Sequence, residues 1–204
     1  MSQHRITTVQ QLESLYGTPQ ATSLGKEMTH ISPEYQRLME HSPFFAIASQ
    51  SQRGLDVSPR GDAAGFVRVV DAQTIAIPDR RGNNRIDTLR NIVAHPQVAL
   101  LFLIPGLELT LRYNGRAHLS TDTELLETFA VDAKLPVCAI VVELDVLFFQ
   151  CARALKRAKL WNPDVRIDPK TLPSTGQLAK AAMQDFDANG YDAILEQRQR
   201  STLY

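Results

Sequence analysis

The sequence predicts a mainly β protein with peripheral helices, built on a small antiparallel barrel. Three observations lead there. Short apolar runs follow one another through tight turns, the segment Glu108 to Tyr113 alternates strictly between apolar and polar residues, and no strand–helix–strand alternation of a doubly wound sheet runs along the chain. The 204 residues are 44% hydrophobic and 22% charged, enough for one core and too apolar for a disordered chain.

The elements follow in order. Residues 7–16 read as a helix capped by Thr7 or Thr8, with a stripe of Val9, Leu12, Leu15 and Tyr16 and Gly17 after its end. A second helix should open at Ser32, with Pro33 at its first position, and run to His41 before Pro43. Phe44–Ser49 and Leu55–Arg60 form a hairpin around the turn at residues 51–54. Phe66–Val70 and Gln73–Pro78 repeat the arrangement. A helix over Ile86–Ala94 is opened by Asn83 and Asn84. Val98–Ile104 turns at Pro105 and Gly106 into the strand Glu108–Tyr113, and a further turn at Asn114 and Gly115 leads into Arg116–Ser120. Thr121 or Asp122 caps a helix through Ala130. Val137–Phe149 is the longest strand, with Ile140, Val142, Leu144, Val146 and Phe148 on its apolar face and Glu143 and Asp145 opposite. The reading is one domain in three parts: an N-terminal helical segment 1–43, a barrel core 44–161 and a C-terminal helical arm 162–204 with a helix over 175–187.

Twenty-two basic and 22 acidic residues cancel, which gives no global attraction to nucleic acid or to a membrane. The N-terminus has no signal-peptide pattern and no apolar run is long enough to span a bilayer, so a cytoplasmic protein is expected. Cys138 and Cys151 read as two buried thiols. The five histidines share no metal-ligand spacing, and no phosphate loop, dinucleotide fingerprint or nucleophile elbow is present.

Function must then lie in local clusters. Pro78–Arg85, P-D-R-R-G-N-N-R, sets three arginines and two asparagines where a strand ends and a helix begins. That is the composition of a phosphate site and equally of a solvated turn. Ser58–Asp62, S-P-R-G-D, places Arg60 at a strand end beside Gly61, which permits close approach to the backbone; alone it reads as an exposed turn. Cys151–Trp161 gathers four basic residues beside the only tryptophan, as an anion clamp, a solvated face or a dimer contact.

In this order the clusters, together with H-P-Q-V-A-L-L-F-L-I-P-G and L-T-L-R-Y-N-G-R-A, resemble the pyridoxamine 5′-phosphate oxidase-related flavin-binding proteins from Phe44 to Trp161, and within them an FMN-binding bacterial subgroup. The resemblance implies a six-stranded split β-barrel that forms a homodimer, with FMN held between the protomers. By motif position it implies that Arg60 and Gly61 meet the phosphate and ribityl chain. Pro78 and Asp79 pass the flavin, while Arg80, Asn83, Asn84 and Arg85 grip the phosphate. Thr110 meets the ring edge and Trp161 reaches across the dimer, and Phe44, Phe66 or Ile77 would wall the ring slot. The subgroup has proline at Arg81, which is not counted as a ligand. The segment after Trp161 departs from the ending of the authentic oxidases, which points away from vitamin B6 oxidation. The implied activity is an FMN-dependent oxidation or reduction of a small molecule, with no catalytic side chain assigned. The rival readings are a non-catalytic flavin store, or a binder of haem or deazaflavin, the former needing an axial ligand such as His30, His41 or His118.

Overall fold

The computed structural model describes residues 4–204. Three short helices come first: α1 (Val9–Glu13), α2 (Ala21–Leu24) and α3 (Pro33–Glu40). The strands are β1 (Phe44–Ser51), β2 (Gly54–Gly61), β3 (Arg68–Asp71), β4 (Thr74–Pro78), β5 (Gln97–Leu103), β6 (Thr110–Ser120) and β7 (Ala139–Gln150), with α4 (Asp87–Ala94) and α5 (Thr123–Glu127) between them. The chain ends in α6 (Arg153–Ala158), α7 (Thr175–Ala182) and α8 (Ala188–Ser201).

All strands pair antiparallel in one open sheet of order β2-β1-β5-β6-β7-β4-β3. It has seven strands where the resemblance implied six. The sheet is rolled so that its two ends face each other. Arg60 on β2 lies 3.4 Å from Asp79 just past β4, and Arg80 Nε lies 2.6 Å from Asp62 just past β2. One apolar cluster fills the roll: Phe45, Ile47, Phe102, Leu111, Tyr113, Ile140 and Leu147, closed by Met39 of α3 and Leu89 and Ile92 of α4. Buried Asn91 donates to Ser49 Oγ at 3.0 Å and ties α4 to β1, which fixes the connection between β4 and α4.

The turn expected at Asn114–Gly115 is instead the middle of β6. There the β6–β7 register slips, with Asn114 opposite Val146 and Gly115 opposite Leu144, and Asp145 is the extra residue. A Cβ at Gly115 would stand 2.0 Å from the Glu143 carbonyl oxygen, so glycine serves close approach of two backbones. The bulge also overturns the single apolar face expected of β7: Ile140 and Val142 enter the core before it, and Leu147 after it. On the opposite face, Ala139 and Val141 pack a smaller cluster with Ala76, Leu126 and Phe129.

Other differences are local. Thr8 caps α1 as expected, but Val9, Leu12, Leu15 and Tyr16 remain exposed. Ser32 precedes α3 but donates to Glu34 Oε2 rather than capping the backbone. The helix expected over 175–187 ends at Ala182, and α8 follows it, capped by Asp187. Cys138 is buried, whereas Cys151 is exposed. No helix among the described residues is long and apolar enough to cross a membrane.

Candidate functional site

The facing ends of the sheet leave a cleft of about 730 Å³. Its floor comes from β2, where the two-residue period of a strand puts Asp56, Ser58 and Arg60 on one face. The connection from Asp79 to Ile86 and the start of α4 form one wall; Lys134–Val137 and Tyr204 form the other. The volume is that of a small-molecule site. Arg60, Arg80, Arg81, Arg85 and Lys134 bring five cations against the carboxylates of Asp56, Asp79 and Asp87, which leaves an excess of positive charge.

Each cation is held differently. Arg60 has Nη1 near Asp79 but its Nε is buried without a hydrogen-bond partner among the described residues. A buried donor left unpaired is costly, and a ligand oxygen would satisfy it. Burial pushes the Asp79 carboxyl above its usual range, with Arg60 only partly opposing. Arg80 is already engaged: Nε donates to Asp62, Nη1 donates to the Phe129 carbonyl at 2.8 Å, and the Tyr204 ring lies 5.5 Å away. Burial pushes the Asp62 carboxyl up, but hydrogen bonds from Tyr204, the Ala63 N–H and Arg80 outweigh it and hold the group below the ordinary range. Arg81 has no ion pair among the described residues. Arg85 pairs with Asp87 at 2.6 Å in the open, its side chain 79% exposed.

The loop backbone is strained where it meets the cleft. Asn84 and Ile86 have φ of 58° and 50°. For a β-branched isoleucine the left-handed region is a true outlier, and such strain gathers at ligand sites. Ile86 also occupies the N-cap position of α4 and supplies no side-chain cap, so the helix is not opened by Asn83 and Asn84 as expected. Asn83 Oδ1 instead accepts from the Arg85 N–H at 3.0 Å, a turn that leaves its amide N–H groups without a partner among the described residues.

Of the residues singled out from sequence, the cleft therefore brings together Arg60, Asp79, Arg80, Asn83, Asn84 and Arg85. Gly61 and Pro78 support it from behind: a Cβ on Gly61 would press on the Pro43 carbonyl at 3.2 Å, and Pro78 is buried opposite Ala139. Thr110 and Trp161 lie in a different region. Thr110 starts β6, and Trp161 Nε1 donates to the Leu107 carbonyl at 3.0 Å within the same chain. Phe66 and Ile77 are buried in the core, and Phe44 does not line this cleft. The apolar lining comes from Ile86, Leu135, Pro136 and Val137. Sequence reasoning missed Lys134–Val137 and Tyr204. A leucine–proline–valine run exposed just before a strand is a faint signal; Tyr204 gives none.

The sequence description of pyridoxamine 5′-phosphate oxidase matches residues 31–150, more than half of the chain. The chain belongs to the pyridoxamine 5′-phosphate oxidase family. Among solved structures, HupZ of Group A Streptococcus is 18% identical with a TM-score of 0.48, over 59% of this chain and 94% of that one. The FAD binding protein from Mycobacterium smegmatis is 16% identical with a TM-score of 0.40, over 60% and 97%. General Stress Protein 26 from Bacillus anthracis is 13% identical with a TM-score of 0.43, over 55% and 88%. No curated protein matches the chain. The pyridoxamine 5′-phosphate oxidase match takes in the β2 floor and the Asp79–Ile86 wall but stops before α6, so Tyr204 is outside it.

Proposed function

We propose that the chain binds FMN in this cleft, as half of a split-barrel homodimer, and acts as a flavin-dependent oxidoreductase on a small molecule. The observation that carries this reading is the convergence of Arg60, with its buried unpartnered Nε, and Arg85, Asn83 and Asn84 at one strained strand-to-helix connection. These groups offer a phosphate several charge-assisted donors. Ser58 and Asp79 suit a ribityl chain, and Ile86, Leu135 and Val137 suit a flat apolar ring. When bound, flavin supplies the hydride chemistry. The chain's part is to hold the phosphate, orient the ring and exclude water, and we assign it no general acid or base.

The dimer is favoured by exposed apolar side chains on β2 and just before β7. Val137 at the cleft is 84% exposed, and Leu55 and Val57, on the face of β2 turned away from the cleft, are 84% and 63% exposed, an apolar surface that a second copy would cover. A second copy would also bring Thr110 and Trp161 toward the flavin, which their own chain does not. No histidine lines the cleft, so the haem reading lacks an axial ligand there.

The test is an absorbance spectrum of the purified protein, mass identification of what denaturation releases, and titration with FMN and FAD. FMN released, or bound more tightly than FAD, is the expected result. Colourless protein that binds neither overturns the reading. Flavin that binds and is reduced by dithionite, but accepts electrons from neither NADH nor NADPH, favours storage.

A further inference from the structure

We propose that the segment after α8 is a strap across the cofactor cleft, and that Tyr204 positions it, so that flavin enters and leaves only when the Tyr204–Asp62 hydrogen bond opens. This rests on the flavin reading above and extends it to a residue that the family match does not cover.

Tyr204 touches three separate parts of the rolled sheet. Its phenol donates to Asp62 Oδ1 at 2.6 Å, its ring lies 5.5 Å from the Arg80 guanidinium, and its backbone oxygen accepts from Lys134 Nζ at 3.2 Å. Asp62, Arg80 and Lys134 follow β2, follow β4 and precede β7, so one residue spans both ends of the sheet. The anchor is firm, because the Asp62 side chain is only 4% exposed and its other oxygen is taken by Arg80. What Tyr204 anchors is slight. Leu203 beside it is 63% exposed and contributes no core packing. A short segment held by one short, partly buried hydrogen bond and two weaker contacts, with little buried apolar surface, opens locally at low cost.

The attachment is also placed to matter. Tyr204 lines the same cleft as Arg60, Asn83 and Arg85, on the opposite wall. Releasing its phenol leaves the Asp62–Arg80 pair intact, so the cleft floor survives while the mouth widens.

Stopped-flow mixing with FMN, on the full chain, separates this from general damage. Tyr204→Phe removes the hydrogen bond and keeps the ring; both association and dissociation should accelerate, dissociation by about tenfold. Tyr204→Ala should accelerate both at least as much, with the thermal transition of each variant within a few degrees of the parent. Wild-type rates in both variants overturn the strap and leave the flavin reading standing. Faster dissociation with slower association also overturns it, since that marks a damaged site rather than an opened one. Failure of the unaltered chain to bind FMN overturns the strap and the flavin reading together.

Discussion

Two arginine–aspartate pairs join the ends of the sheet, and they differ in almost every respect. Arg80–Asp62 is short at 2.6 Å, and its carboxylate collects two further donors. Arg60–Asp79 is long at 3.4 Å, with a buried guanidinium nitrogen still unpaired and a carboxyl that burial makes easier to protonate. Both pairs are mostly buried, so burial does not distinguish them. The number of hydrogen bonds does. A saturated pair is a structural clamp, whereas an unsaturated one keeps capacity for a ligand.

The largest test of that contrast removes the clamp. Asp62→Ala leaves Arg80 buried with only the Phe129 carbonyl, and should cost about 3 kcal/mol in urea unfolding. Arg60→Ala should divide differently. FMN binding should weaken roughly tenfold to a hundredfold in a fluorescence titration, while stability changes by less than about 1 kcal/mol. Equal loss of stability in the two variants would erase the distinction.

Acid sharpens it further, because the two carboxyls carry opposite signs. Asp62 has a lowered folded value, so its contribution is present above the ordinary carboxylate range near about pH 4 and is lost as pH falls through the folded value. Asp79 has a raised folded value, so the folded state takes up its proton first. Stability from that group rises as pH falls from the raised value toward the ordinary one. Unfolding curves between neutral and acid pH should therefore show Asp62→Asn lacking the acid loss and Asp79→Asn lacking the acid gain. The smallest effect belongs to the exposed pair: Asp87→Ala beside Arg85 should shift unfolding by no more than about 0.5 kcal/mol.

The difference between the pairs was not legible in the sequence, although both arginines were. Arg60 and Arg80 stand out as charges at strand ends because local pattern marks strand ends. Which of them is satisfied depends on Phe129 and Tyr204, which lie 49 and 124 positions from Arg80 and are brought in only by the roll of the sheet. The hairpins of β1–β2 and β3–β4 were legible for the opposite reason, since their turns and alternation are written in adjacent residues. Asn114–Gly115 misled because the dipeptide that favours a tight turn also suits a bulge, and only the partner strand decides. The α8 helix was hidden by its composition: of its fourteen residues only Ala188 is buried, too few to write a periodic stripe.

The bulge at Asp145 has a consequence for anyone recombining this protein with its relatives. The halves of β7 on either side of it are out of phase, so a crossover within the strand is safe only where both parents carry the extra residue. A junction that loses it would turn Leu147 outward and Val146 and Phe148 inward for the rest of the strand, although every residue spliced in was native to its own parent.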